Sequence, residues 1–101
     1  MVYIGSADGK VHALNTKTGA KVWSYTTGHV TLASSPAVAN GVLYIGSGNE
    51  VYALNASTGA KLWSYATGNS VDSSPTVANG VVYVGSADGK LYAFGLKKGQ
   101  E

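Results

Sequence analysis

The sequence predicts an all-β fold made of short antiparallel strands, and three observations support this prediction. The first is an internal repeat, because residues 53–68 (ALNASTGAKLWSYATG) are a near-copy of residues 13–28 (ALNTKTGAKVWSYTTG). The second is a composition of 45% hydrophobic residues, 12% charged residues and 14 glycines, which is typical of strands joined by tight turns and excludes disorder. The third is the period of about 40 residues, which lies in the range of stacked repeat arrays.

Each copy of the repeat predicts a β-hairpin. Asn15 and Asn55 open the turns, because an asparagine side chain can bond the backbone two residues further on. Gly19 and Gly59 take the positive φ that closes a bulged loop. Each copy therefore contains a strand, a turn and a returning strand.

The returning strand of each copy carries an aromatic face. By the period-two rule Trp23 and Tyr25 lie on one side of the strand, and Trp63 takes the same place in the second copy. One aromatic face in each repeat therefore needs a packing partner.

The remaining strands follow from turn signals between alternating apolar residues. Asp8-Gly9 and Asn40-Gly41 are strong hairpin signals. Pro36 opens a strand at a point where no N–H is needed for pairing. The predicted strands cover residues 2–6, 11–14, 21–25, 36–39, 42–47, 51–54, 61–65, 75–78, 82–86 and 91–94.

Four strands in about 40 residues are typical of one blade of a β-propeller. Counting strands along the chain predicts a partial blade at residues 1–33, a full blade at 34–72 and a partial blade at 73–101. About 2.5 blades cannot close a ring, so we expect other chains or further sequence to complete it.

Charge and cysteine content exclude several classes of function. The net charge is only +2, and the seven lysines lie mostly in predicted turns, which indicates solubility and edge protection rather than a nucleic-acid surface. The absence of cysteine excludes disulfides and thiolate metal sites. We recognise no signal peptide and no apolar run of about 18 residues, so no membrane span is predicted and the compartment stays open.

The repeats resemble those of the pyrroloquinoline quinone (PQQ) enzyme repeat family, the quinoprotein-type propellers, whose tryptophan-docking motif reads roughly Ala-x-Asp-x-x-Thr-Gly-x-x-x-Trp. Two copies match it, with asparagine for the usual aspartate: Ala13, Asn15, Thr18, Gly19 and Trp23, then Ala53, Asn55, Thr58, Gly59 and Trp63. In a third copy Ala93 and Gly99 fit, but Gly95 replaces the asparagine and no tryptophan follows.

This resemblance implies that each tryptophan packs between neighbouring blades onto a glycine-containing turn. The expected blade-docking residues are Trp23, Trp63, Gly19, Gly59, Asn15 and Asn55. We also expect both indoles to be buried. Members of the family are often extracytoplasmic, although nothing in this sequence assigns a compartment.

The family includes PQQ-dependent alcohol and sugar dehydrogenases, so catalysis must be weighed. In those enzymes irregular insertions supply the quinone site, a Ca²⁺ site and a catalytic acid, and this chain has no such insertions. Its acids mostly fall in predicted turns: Asp8, Glu50, Asp72, Asp88 and Glu101. Asp72 is the acid with the weakest structural explanation, since its loop should lead to the innermost strand.

The other candidate groups are also better explained by structure. His12 and His29 have no neighbouring ligand in the sequence, and the repeated pairs Ser34-Ser35 and Ser73-Ser74 lack a nearby base. The repeated tyrosines are expected in the apolar layer between blades. We therefore predict no catalytic residue, no cofactor and no metal.

Two functions remain open at this point. The first is a non-catalytic scaffold for protein interactions that self-associates into a closed propeller; the alternative is a fragment or subunit of a PQQ-dependent dehydrogenase. For self-association, a neighbour's strand would complete a partial blade and displace one of two similar hairpins, residues 2–14 or 82–94. Two net blades per chain would make four chains an eight-bladed ring, and three chains with altered overlap are the other option. Equally, the chain could be a piece of a longer propeller.

Overall fold

The computed structural model describes residues 1–6, 9–27, 35–68, 70–71 and 74–95. These residues form ten strands and no helix, which confirms the predicted all-β fold class. The strands are β1 (Val2–Gly5), β2 (Lys10–Leu14), β3 (Lys21–Thr26), β4 (Ala37–Ala39), β5 (Val42–Ser47), β6 (Glu50–Asn55), β7 (Lys61–Ala66), β8 (Thr76–Ala78), β9 (Val81–Gly85) and β10 (Leu91–Gly95). None of the described segments is a helix that could cross a membrane.

The strands form three antiparallel sheets. The first sheet has the order β1-β2-β3, the central sheet β4-β5-β6-β7 and the last sheet β8-β9-β10. The predicted blade boundaries after residues 33 and 72 fall in segments that lie outside the described residues, so they stay predictions.

The three sheets repeat one strand register. Tyr44 pairs with Ala53 in the central sheet, and Tyr3 and Tyr83 pair with the equivalent alanines of the other two sheets. Positions in one sheet can therefore be matched to positions in another without ambiguity.

Local sequence explains the turns between strands. Asn40 and Gly41 have φ of 53° and 77°, and Asn79 and Gly80 have 52° and 76°. Two consecutive positive φ values define the two-residue hairpin turn that asparagine-glycine pairs favour, because its twist matches that of the strands. Pro36 lies just before β4 rather than inside it, since proline cannot donate to the ladder and pairing begins at the next residue.

The central sheet is covered on both faces. All six residues of β5 are buried, because alternate side chains enter two different clusters. Leu43 and Ile45 pack in the cluster shared with the first sheet. Val42 and Tyr44 pack in the cluster shared with the last sheet.

Candidate interaction surfaces

The Asn55–Gly59 turn has the local geometry that the sequence predicts. Asn55 Oδ1 accepts hydrogen bonds from the backbone N–H groups of Ser57 at 2.8 Å and Thr58 at 3.1 Å. Gly59 has a φ of +82°, and its N–H donates to the carbonyl of Asn55 at 2.8 Å. These three bonds are made entirely within the loop.

The Asn15–Gly19 turn repeats this geometry. Asn15 Oδ1 accepts from the N–H groups of Lys17 at 2.8 Å and Thr18 at 3.1 Å, and Gly19 has a φ of +77°. Nothing lies within 4 Å of the position that a Cβ of Gly19 would occupy. The two turns are thus alike in shape but differ in what covers them.

Trp23 of the first sheet covers the Asn55–Gly59 turn of the central sheet. A Cβ added at Gly59 would lie 2.6 Å from Trp23 Cε3, so only glycine leaves room for the indole. Trp23 Nε1 donates to the carbonyl of Ala56 at 3.0 Å, and the Tyr3 hydroxyl donates to the same oxygen at 3.0 Å. The structure therefore places Trp23 against Gly59 and Ala56, in the turn that the side chain of Asn55 holds.

Trp63 has different surroundings. Its ring lies 5.1 Å from that of Phe94 and 6.1 Å from that of Tyr44, in the cluster between the central and last sheets. The turn that would match Asn55–Gly59 contains Gly99, which lies outside the described residues. Trp63 and Trp23 are both half-buried, and so less enclosed than the sequence analysis expects.

A hydrogen bond that the sequence analysis missed joins neighbouring sheets near the ends of their strands. The Tyr52 hydroxyl donates to the carbonyl of Thr27 at 3.3 Å, and the Tyr92 hydroxyl donates to that of Thr67 at 2.6 Å. Each tyrosine follows its threonine by 25 residues, and this repeated spacing was the available signal. The sequence predicts only apolar packing for these tyrosines.

Asp88 adds a carboxylate to the second of these contacts. The Tyr92 hydroxyl shares its single proton between the Thr67 carbonyl and Asp88 Oδ2, which lies 2.7 Å away, and Asp88 Oδ1 accepts from the N–H of Lys90 at 2.9 Å. The hydrogen bond to Tyr92 lowers the pKa of the Asp88 carboxyl and raises the pKa of Tyr92 to about 12. Burial, followed by the neighbouring Glu50, raises the pKa of Tyr52.

The outer face of the first sheet exposes apolar side chains that are buried elsewhere. Val2 is 45% exposed and Ile4 44%, whereas their equivalents in the central sheet, Leu43 and Ile45, are both 0% exposed. The register supports this equivalence. Val2 pairs with Leu14 in the first sheet, and Leu43 pairs with the equivalent leucine of β6 in the central sheet. This face has the same pattern as the central-sheet face that receives Trp23.

The outer face of the last sheet also exposes apolar side chains, and these match the other face of the central sheet. Tyr83 is 36% exposed and Leu91 71%, whereas Tyr44 and Val51 at the same register positions of the central sheet are 1% and 0% exposed. The described residues therefore present two exposed apolar faces of different pattern.

Within the described residues, no group of three or more histidine, aspartate or glutamate side chains could hold a metal ion. Six of the candidates discussed above lie outside the described residues: Asp8, His29, Ser34, Asp72, Ser73 and Glu101. His12 takes the register position of Tyr52, on the outer face of the first sheet.

Comparisons with known proteins place the chain among propellers. The sequence profile of the family described as outer membrane protein assembly factor BamB matches residues 2–101. The crystal structure of BamB from Moraxella catarrhalis superposes with a TM-score of 0.81 at 26% identity, over 93% of this chain and 34% of that chain. Quinohemoprotein alcohol dehydrogenase from Comamonas testosteroni gives a TM-score of 0.79 at 24% identity, over 94% of this chain and 18% of that chain.

A curated relative also matches part of the sequence. The quinohemoprotein alcohol dehydrogenase ADH-IIG from Pseudomonas putida is 38% identical over an alignment of 52 residues, and the match covers 46% of this chain and 7% of that protein. The chain thus spans about a third of BamB and far less of the dehydrogenases. Three antiparallel sheets with propellers as neighbours make it a partial β-propeller, as predicted. By the match over residues 2–101, the chain belongs to the PQQ-repeat family described as outer membrane protein assembly factor BamB.

Proposed function

We propose that this chain is a non-catalytic scaffold module for protein interactions, and that it self-associates to complete a closed propeller. The observation that carries the proposal is the pair of exposed apolar faces on the first and last sheets. Soluble proteins seldom leave large apolar patches and unpaired strand edges exposed without a partner. The family match to an assembly factor agrees with a role in protein contacts.

The contacts between the three sheets support self-association as the way in which these faces are covered. The pattern of Val2 and Ile4 on the first sheet matches that of Leu43 and Ile45, which form an interface with a neighbouring sheet. A second copy carries surfaces of the kind that already pack together in each molecule. The burial of apolar surface makes the main favourable contribution to the free energy of protein association.

Individual residues at the blade junctions also have proposed roles. We infer that Trp23, Asn55 and Gly59 join two blades, and that Trp63, Gly19 and Asn15 have the same role at other blade junctions. The close approach of Trp23 to Gly59 supports the first of these assignments.

A PQQ-dependent dehydrogenase fragment is the second candidate, favoured by the 38% identity to a quinohemoprotein alcohol dehydrogenase over 52 residues. Titration with PQQ and Ca²⁺, followed by a dye-linked assay with alcohol or glucose, separates the two functions. We expect no saturable quinone binding and no turnover. Saturable binding with turnover would contradict the scaffold role.

A matched preparation makes a negative result meaningful. A PQQ-dependent dehydrogenase should be loaded and assayed in parallel under the same conditions. If it is active while the 101-residue chain is not, the lack of turnover belongs to the chain and not to the assay.

A further inference from the structure

We propose that β3 of a second copy pairs with β10, and that this places the second copy's Asn15–Gly19 turn beneath Trp63. This inference rests on the self-association proposed above, and it assigns the contact between the two copies to particular surfaces. The partner is therefore a second copy of this chain, joined by one strand and one turn.

The first argument is an uncovered turn and a tryptophan that could cover it. Gly19 and Gly59 have nearly the same φ, +77° and +82°, in turns with the same asparagine hydrogen bonds. Trp23 fills the space over Gly59, whereas the space over Gly19 is open. Among the described residues, Trp63 contacts no turn of this kind, although it holds the position that Trp23 holds in its own sheet.

The second argument is the open edge of the last sheet. In the central sheet β7 pairs with β6, while in the last sheet, as far as the described residues go, β10 is the edge strand. Tyr65 of β7 packs against Tyr92 and Phe94 of β10, yet it remains 48% exposed. Its counterpart Tyr25, whose neighbouring sheet has four strands, is more buried. A strand added beside β10 would lie next to the exposed part of Tyr65.

The third argument is that β3 already pairs with a hairpin of almost the same sequence. Residues 2–14 and 82–94 are identical at nine of 13 positions. In the first sheet β3 pairs with β2 of this hairpin, with Lys10 opposite Thr26 and His12 opposite Ser24. The same register on β10 sets Lys90 opposite Thr26 of the second copy. The exchange replaces one set of strand contacts by an equivalent set and adds the Trp63 contact.

Cysteine cross-linking tests the strand pairing, and the chain has no cysteine of its own to interfere. A Lys90→Cys chain is mixed with a Thr26→Cys chain and oxidised mildly. We expect a disulfide between the two chains, because opposite residues of paired strands lie within the Cα separation that a disulfide spans. The double variant Lys10→Cys with Thr26→Cys is the control for β3 paired with its own β2, and it should cross-link only in chains that have not exchanged this strand. Lys90→Cys mixed with Ser57→Cys is the negative control.

Gly19→Ala tests the tryptophan contact, with light scattering as the measurement. A Cβ at Gly19 would meet Trp63 of the second copy as one at Gly59 would meet Trp23, so we expect self-association to weaken by about tenfold or more. Gly89→Ala introduces the same methyl group at a φ of +82° with nothing within 4 Å, and it should leave association unchanged. Circular dichroism of both variants shows whether the strands still form.

The outcomes separate this inference from the proposed function. An oligomeric wild type with the cross-link and a weakened Gly19→Ala variant supports both. An oligomeric wild type with no cross-link above the negative control, and with an unaffected Gly19→Ala variant, overturns the β3–β10 contact and leaves self-association standing. A folded monomer at every accessible concentration overturns both.

Discussion

The indole of Trp23 lies so close to Gly59 that a single added methyl group would come within 2.6 Å of Trp23 Cε3. This contact joins a strand of one sheet to a turn of the next, and its two residues are 36 positions apart in the sequence. The indole N–H also donates to the Ala56 carbonyl, so the ring is fixed at two points. Local turn chemistry and packing between sheets therefore depend on the same five-residue loop.

Gly59→Ala should destabilise the protein more than the same change at Gly89. Both glycines have a φ of +82°, so an alanine carries the same backbone strain of about 1 kcal/mol or more at either place. Only at Gly59 does the methyl group also meet an indole, which adds about 1–3 kcal/mol for overpacking. Urea unfolding measures both, and equal free energies of unfolding would contradict the packing contact.

Trp23→Ala and Trp63→Ala should each cost about 3 kcal/mol, the lower end of the range for large aromatic truncations, because both rings are half-buried. Trp23→Phe keeps much of the ring contact but loses the hydrogen bond to Ala56, so we expect a loss of about 1 kcal/mol. Urea unfolding followed by circular dichroism gives each value. A melting temperature for Trp63→Ala within a degree or two of the wild type would argue against its docking role.

The repeat predicted much of this fold because the signals that set it are local. The turns at Asn15 and Asn55 depend on bonds within four residues, and the faces of Trp23 and Tyr25 follow from the alternation of a strand. Every described strand lies within about a residue of its predicted bounds, as turn residues set the limits.

Other features could not be predicted because they depend on how far one sheet lies from the next. The hydrogen bond from Tyr52 to the Thr27 carbonyl joins two sheets. A local sequence pattern does not distinguish a buried tyrosine that only packs from one whose hydroxyl also donates a hydrogen bond. The greater exposure of Tyr65 compared with Tyr25 likewise follows from the number of strands in the facing sheet, which is a property of the assembled fold.

Asn55→Ala should loosen the turn that carries Trp23. The substitution removes the acceptor for two backbone N–H groups, and we expect a cost of about 1 kcal/mol because the turn is solvent-accessible and water replaces part of the loss. Asn55→Asp keeps an oxygen acceptor at this place and should stay within about 0.5 kcal/mol of the wild type. Thermal unfolding of both variants tests this, and equal losses would show that the side-chain oxygen is not what holds the turn.

Alkaline pH should weaken the fold through Tyr92, whose pKa is raised to about 12 by its hydrogen bond to Asp88. The unfolded chain loses this proton near pH 10, so above that pH the unfolded state binds fewer protons than the folded state and stability falls as pH rises. The stabilisation is complete below about pH 10 and is lost as pH rises towards about 12.

The urea midpoint of the wild type should thus decline over this interval, and the midpoint of Tyr92→Phe should decline less steeply. Tyr52 also contributes to the wild-type slope, since its pKa is raised too, so the difference between the two slopes isolates Tyr92. Parallel slopes for the two proteins would show that the Tyr92 proton is not held by the folded state.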